Sequence, residues 1–100
     1  MAELTVIYWR DIPTQVSARA GRQNAKAELP RRFMEAVDAA AMRAGLFNSD
    51  DYLAEWRRSD PIPCADDLDA AVAASIADLD GAYDPTRLRT LVDNGGEEVA

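Results

Sequence analysis

Residues 30–45 read PRRFMEAVDAAAMRAG, and this segment constrains the fold more than any other. Phe33, Val37, Ala40, Ala41 and Ala44 recur at i, i+4, i+7, i+8 and i+11, which gathers them on one face of a helix. Proline at the first helical position forgoes an N–H the helix could not have used. Gly45 supplies the left-handed stop that ends many helices. A helix with one apolar face must bury it against another layer, so the segments on either side decide the architecture.

Upstream the period is two rather than 3.6. Residues 4–9, LTVIYW, are β-branched and aromatic and too short for a helix, and predict a strand buried on both faces or nearly so. Residues 11–14 predict a reversal in which Pro13 breaks the ladder. From Gln15 to Ala20 the alternation is clean, with Val16, Ala18 and Ala20 on one face and Gln15, Ser17 and Arg19 on the other. This is a half-exposed strand, the hairpin partner of the first. After the turn signal at residues 21–24, Ala25, Ala27 and Leu29 alternate with Lys26 and Glu28, as a third short strand or an irregular lead-in to the helix.

Downstream, Ser49 is a good N-cap and Asp50 and Asp51 suit a helix dipole. Tyr52, Leu53 and Trp56 fit one face of a short helix to about Arg58, although Tyr52, Ala54 and Trp56 also alternate as a strand would. Residues 59–63 are a break. Leu68, Val72, Ile76, Leu79 and Tyr83 step by three and four through residues 66–83, the longest periodic segment. Asp84-Pro85 opens a last short helix carrying Leu88, Leu91 and Val92, which Asn94-Gly95-Gly96 closes. The fold class is therefore α+β: an N-terminal antiparallel hairpin or three-stranded meander packed under the central helix, with two or three further helices. Residues 1–96 form one domain and 97–100 a frayed acidic tail.

The chemistry is sparse. The chain has no histidine, which removes the usual general base and the usual zinc nitrogen. Cys64 is alone and next to acids, which disfavour a thiolate. No phosphate-binding glycine loop, paired-cysteine pattern or calcium loop is present. Asp66, Asp67 and Asp69 crowd a helix start, where the dipole favours acids, and they point in different directions around it. They read as first-turn residues and not as a metal site. The residues thus point to a non-enzyme without cofactor or metal. No apolar run approaches a bilayer span, the start MAEL is not basic, and the lone cysteine suits a reducing cytoplasm.

Charge is the remaining signal. Residues 1–50 carry seven basic and six acidic side chains and residues 51–100 carry four and twelve, so the net charge of −7 lies in the second half. Arg10, Arg19, Arg22, Lys26, Arg31 and Arg32 form a basic strip, opposed within it only by Asp11 and Glu28. Arg31 and Arg32 stand in the first turn of the central helix, where cations oppose the dipole, so an anion is expected beside them, on a partner, a phosphate or a neighbouring carboxylate. Reversing both to glutamate is expected to keep stability and lose the partner. The candidate contact residues are Arg10, Arg19, Arg22, Arg31 and Arg32 with the aromatics Tyr8, Trp9 and Trp56.

The words VIYWRDIPTQV, ELPRRF, AAMRAG and DYLAEWRR resemble the small bacterial family known as virulence factor, and are similar to a segment of the larger conserved virulence factor C. The resemblance covers roughly residues 3–60. It implies a soluble bacterial domain of unassigned biochemistry, whose family name records an association with virulence and not an activity. Some relatives are encoded beside one-carbon (methylenetetrahydrofolate and corrinoid) enzymes, which would suit an accessory subunit or ligand-binding partner of those enzymes.

Three functions follow. The first is a non-catalytic interaction or accessory module that meets an unidentified protein partner through the basic strip and nearby aromatics. The second is a nucleic-acid binder using the same strip. The third is the one-carbon accessory role. The net charge of −7 opposes a polyanion, so neither nucleic acid nor membrane is expected as a partner. The oligomeric state is left open.

Overall fold

In the computed structural model of the protein, which describes residues 2–46 and 50–98, the predicted hairpin is the middle of an antiparallel sheet. β1 (Glu3–Trp9) pairs with β2 (Ile12–Ala20), which pairs in turn with β3 (Gln23–Glu28). On its other side β1 meets β4 (Trp56–Arg58) and the two-residue β5 (Ile62–Pro63). The strand order is β3-β2-β1-β4, with β5 beside β1.

Two details of the hairpin differ from the sequence reading. The reversal falls at Arg10 and Asp11, with Arg10 at φ 52°, and Pro13 lies inside β2 opposite Tyr8. Trp9 and Ile12 close the tight turn as a hydrogen-bonded pair, so Tyr8 and Pro13 form a non-bonded pair that asks for no proline N–H. A register shift follows at once: Ile7 pairs with Gln15, leaving Thr14 as the extra residue of a bulge. The buried Thr14 hydroxyl donates to the Ile7 carbonyl at 2.9 Å and fastens that bulge. The second difference is burial. Leu4 and Val6 are buried but Thr5 and Ile7 are only partly so, and β1 has one covered face through most of its length.

α1 (Arg31–Arg43) buries Phe33, Ala36, Val37, Ala40 and Ala41, the stripe its spacing predicts. Pro30 is its N-cap, one position before the first helical residue. At the other end Gly45 takes φ 74°, with Gly45 N–H bonded to Met42 O and Leu46 N–H to Ala41 O. Those two bonds satisfy carbonyls the helix leaves open. Ser49, expected as the next N-cap, lies outside the described residues. The ambiguous segment after it resolves into both alternatives: α2 (Asp50–Ala54) runs directly into β4.

α3 (Leu68–Ala82) begins where the Asp67 side chain accepts from Ala70 N–H. α4 (Pro85–Asp93) begins likewise, with Asp84 capping Arg87 N–H and proline at the helix start. After it, Glu98 meets the rest of the fold. Asp11 accepts from Glu98 N–H at 2.6 Å, and the Glu98 carboxylate meets Arg87 at 2.7 Å.

Two apolar clusters make the core. Leu68 and Val72 of α3 cover Leu4, Val6, Val16 and Ala18 on one sheet face. Around Trp9 and Ile12 gather Phe33, Val37, Ala40 and Ala41 of α1 with Leu88 and Leu91 of α4. Ile76 and Leu79 touch both clusters and join them. Trp9, Phe33, Ile12 and Leu91 are almost wholly enclosed. Burial of side chains of this kind stabilises by about 1.5–3 kcal/mol each.

Candidate functional site

Directly opposed residues of an antiparallel pair share a sheet face. The register therefore places Glu3, Thr5 and Ile7 of β1 with Arg19, Ser17 and Gln15 of β2 on the face away from α3. Asn24, Lys26 and Glu28 of β3 and Arg58 of β4 continue that face to either side. Arg19, Lys26, Glu28 and Arg58 are exposed and Ile7 and Gln15 half-buried, whereas Val6, Val16 and Ala18 on the opposite face are buried. One side of the sheet carries Leu4, Val6, Val16 and Ala18 under α3, whereas the other is covered at its Trp9–Ile12 end by α1 and α4 and open beyond it.

The open face has shape and charge. At one end a groove of about 300 Å³ is lined by Ile7, Thr14, Gln15, Glu28, Met34 and Trp56. Met34 stands at its rim with 36% of its surface exposed, and Trp56 is held edge-on to Tyr52 with ring centroids 6.2 Å apart. Burial raises the Tyr52 pKa, and the nearby charge of Asp38 adds to the effect. A second shallow depression continues across Gln15, Lys26, Ala27 and Glu28. Arg19, Lys26 and Arg58 form no salt bridge among the described residues, and only Glu3 and Glu28 stand against them on this face. A groove of mixed apolar and polar lining thus lies beside cations that form no salt bridge among the described residues.

The basic strip does not stay together. Arg10 is folded inward: its guanidinium lies 3.5 Å from Glu55 and 3.7 Å from Glu97, donates to Gly95 O at 3.0 Å and stacks on Trp9. Arg32 is likewise internal, paired with Asp80 at 2.5 Å. Trp9 is fully enclosed, with its Nε1 donating to Tyr52 O at 2.9 Å, and so presents no contact surface. These three, expected on a contact surface, are placed in contacts within the fold. The acidic second half of the chain supplies the anions that the strip lacks nearby in sequence. Tyr8 is half-buried beneath the Arg57 guanidinium, 4.5 Å above its ring. Arg22 is exposed in the β2–β3 turn and Arg31 is exposed in the first turn of α1.

Of the expected residues, the structure brings only Arg19 and Trp56 onto the open face. It adds Ile7, Gln15, Met34 and Arg58, which the sequence reading did not single out. The alternation of Gln15, Ser17 and Arg19 already marked a polar face, but β4 was not resolved from a helix, and Arg58 and Trp56 reach the sheet only through it. Among the described residues no group of three or more acids, cysteines or histidines is arranged to hold a metal ion. No helix among them is long and apolar enough to cross a membrane.

Compared with known families, residues 7–92 match the family described as Virulence factor. No curated protein and no solved structure matches the chain.

Proposed function

The chain belongs to the Virulence factor family, and on that premise we propose that it works as a non-catalytic interaction or accessory module whose contact surface is the open face of its sheet. One observation carries this reading. The side of the sheet opposite α3 holds Arg19, Lys26 and Arg58 free of salt bridges among the described residues, around a groove floored by Ile7 and Trp56. Aromatic and arginine side chains are enriched where interfaces concentrate their binding energy. Exposed cations around such a centre steer an oppositely charged partner and set its orientation. The partner that fits is a protein surface of acidic character that offers an apolar side chain to the groove.

The test compares capture by three forms of the tagged protein from an extract of its own cells. Wild type and an Arg89→Glu control, changed on exposed α4, should retain the same stoichiometric protein. An Arg19→Glu/Arg58→Glu variant should lose it. Equal retention by all three forms would remove the open face from the interaction. Salt-tolerant retention of DNA or RNA by wild type would replace a protein partner with a nucleic acid.

A further inference from the structure

β3 is the edge of the sheet, and no strand pairs with its outer side among the described residues. Gly21 and Arg22 form a two-residue turn, so Ala20 and Gln23 are a hydrogen-bonded pair, and the bonded positions of β3 are then Gln23, Ala25 and Ala27. The Leu29 N–H bond to Thr14 O continues the same alternation. Asn24, Lys26 and Glu28 therefore turn their N–H and C=O groups outward, where no partner meets them among the described residues. All three residues are exposed. Such an edge is a template for another strand unless charge opposes it.

We infer that this edge pairs with β3 of a second copy of the chain, antiparallel and centred on Ala27. Centring on Lys26 would set like charges against each other. Centring on Ala27 places Lys26 opposite Glu28 of the second copy and Glu28 opposite its Lys26. Both pairs fall at positions whose backbone groups point outward, so each exchanges two backbone hydrogen bonds. The same register brings Arg31 toward Gln23 of the other copy. There Gln23, Asn24 and Ala25 share a depression with Asp66, Asp67 and Asp69. Arg31, exposed and without a salt bridge among the described residues, gains the anions its helix end lacks. The sheet then runs β4-β1-β2-β3-β3-β2-β1-β4. A two-fold axis perpendicular to it keeps both open faces on the same side, doubling that surface.

This inference does not rest on the identity of a heterologous partner, and its readout, self-association of the purified chain, is separate from capture of that partner. Sedimentation equilibrium from low micromolar to millimolar protein should show a reversible monomer–dimer exchange. Lys26→Glu and Glu28→Lys should each weaken the dimer by about tenfold, since each change puts like charges opposite at both symmetric positions. The Lys26→Glu/Glu28→Lys exchange should restore it. In wild type, the Lys26 and Glu28 amides should exchange hydrogen more slowly as protein concentration rises. A wild type that stays monomeric throughout, single variants equal to wild type, a double variant no better than the singles, or concentration-independent exchange at those amides would each overturn the inference.

Discussion

Arg32, in the first turn of α1, closes on Asp80 near the end of α3 at 2.5 Å. The same guanidinium donates to the Asp80 and Tyr83 carbonyls at 2.9 and 2.6 Å and lies over the Phe33 ring at 4.5 Å. A cation that opposes its own helix dipole is held instead by the carbonyl-rich end of another helix. Arg31, its neighbour, is exposed and takes no part. The two arginines, which share one expected role in the sequence, have separate roles in the fold.

Arg32→Ala should therefore lower the stability of the protein by about 1–3 kcal/mol, the range for charged hydrogen bonds reduced for partial exposure. Arg31→Glu in the monomer should leave stability unchanged or raise it by about 0.3–1 kcal/mol through the dipole. Urea denaturation of the two single variants at low protein concentration measures both. Equal effects would mean that the interhelix contact contributes nothing.

Gly96 is the tightest-packed of the five glycines. It ends α4 at φ 92°, its N–H bonded to Leu91 O at 2.7 Å, and a Cβ there would lie 2.7 Å from Trp9 Cζ3. Gly96→Ala adds left-handed strain to overpacking against a side chain that has no free volume, and should cost at least about 2 kcal/mol. Gly21, at φ 59° in open space, is the control. Gly21→Ala should cost only about 1–2 kcal/mol, from the backbone alone. Thermal melts of the two variants compare them directly.

The phenols set the alkaline limit. Burial raises the pKa of Tyr83 first, with Tyr8 adding to it, while Arg87 opposes the shift. Tyr52 is also raised, chiefly by burial. Each phenol holds its proton more tightly folded than unfolded. Their contribution is complete below the ordinary tyrosine value of about 10 and is lost as pH rises through the folded values. Melting temperature should fall more steeply above about pH 10 in wild type than in Tyr83→Phe. Parallel curves would exclude Tyr83 as the cause.

The two tryptophans should separate in solution. Trp9 is fully enclosed, whereas Trp56 lines the open groove. Acrylamide should quench one emitting population strongly and the other weakly, and Trp56→Phe should remove the quenchable one. A wholly accessible population remaining in that variant would mean that Trp9 is not sealed by Gly96 and the surrounding helices.

Local signals were legible where the chemistry is local. The apolar stripe of α1, the Asp84 cap, the Gly45 stop and the Val16–Ala18 face all rest on spacings of a few residues, and each stands in the fold. The match of the family to residues 7–92 agrees with the resemblance carried by the words of the N-terminal half. Pro13 misled because its effect depends on which neighbour its missing N–H faces, and the β1–β2 register decides that. The segment around Trp56 was ambiguous because its pattern suits both periods. Only the free edge of β1 selects a strand there, with Arg10 N–H bonded to Glu55 O at its start.

What the sequence by itself determined is the α+β class, the hairpin, the approximate extents of α1, α3 and α4 and the excess of negative charge in the second half. What only the tertiary structure decided is which cations remain available. Arg10 and Arg32 are spent on Glu55, Glu97 and Asp80, residues 45 or more positions away in the chain, while Arg19, Lys26 and Arg58 are gathered on one open face. Charge counts along a chain add up all arginines alike. Their availability depends on distances that close only when the sheet and helices pack, because an ion pair contributes over a few ångströms and solvent screens it beyond.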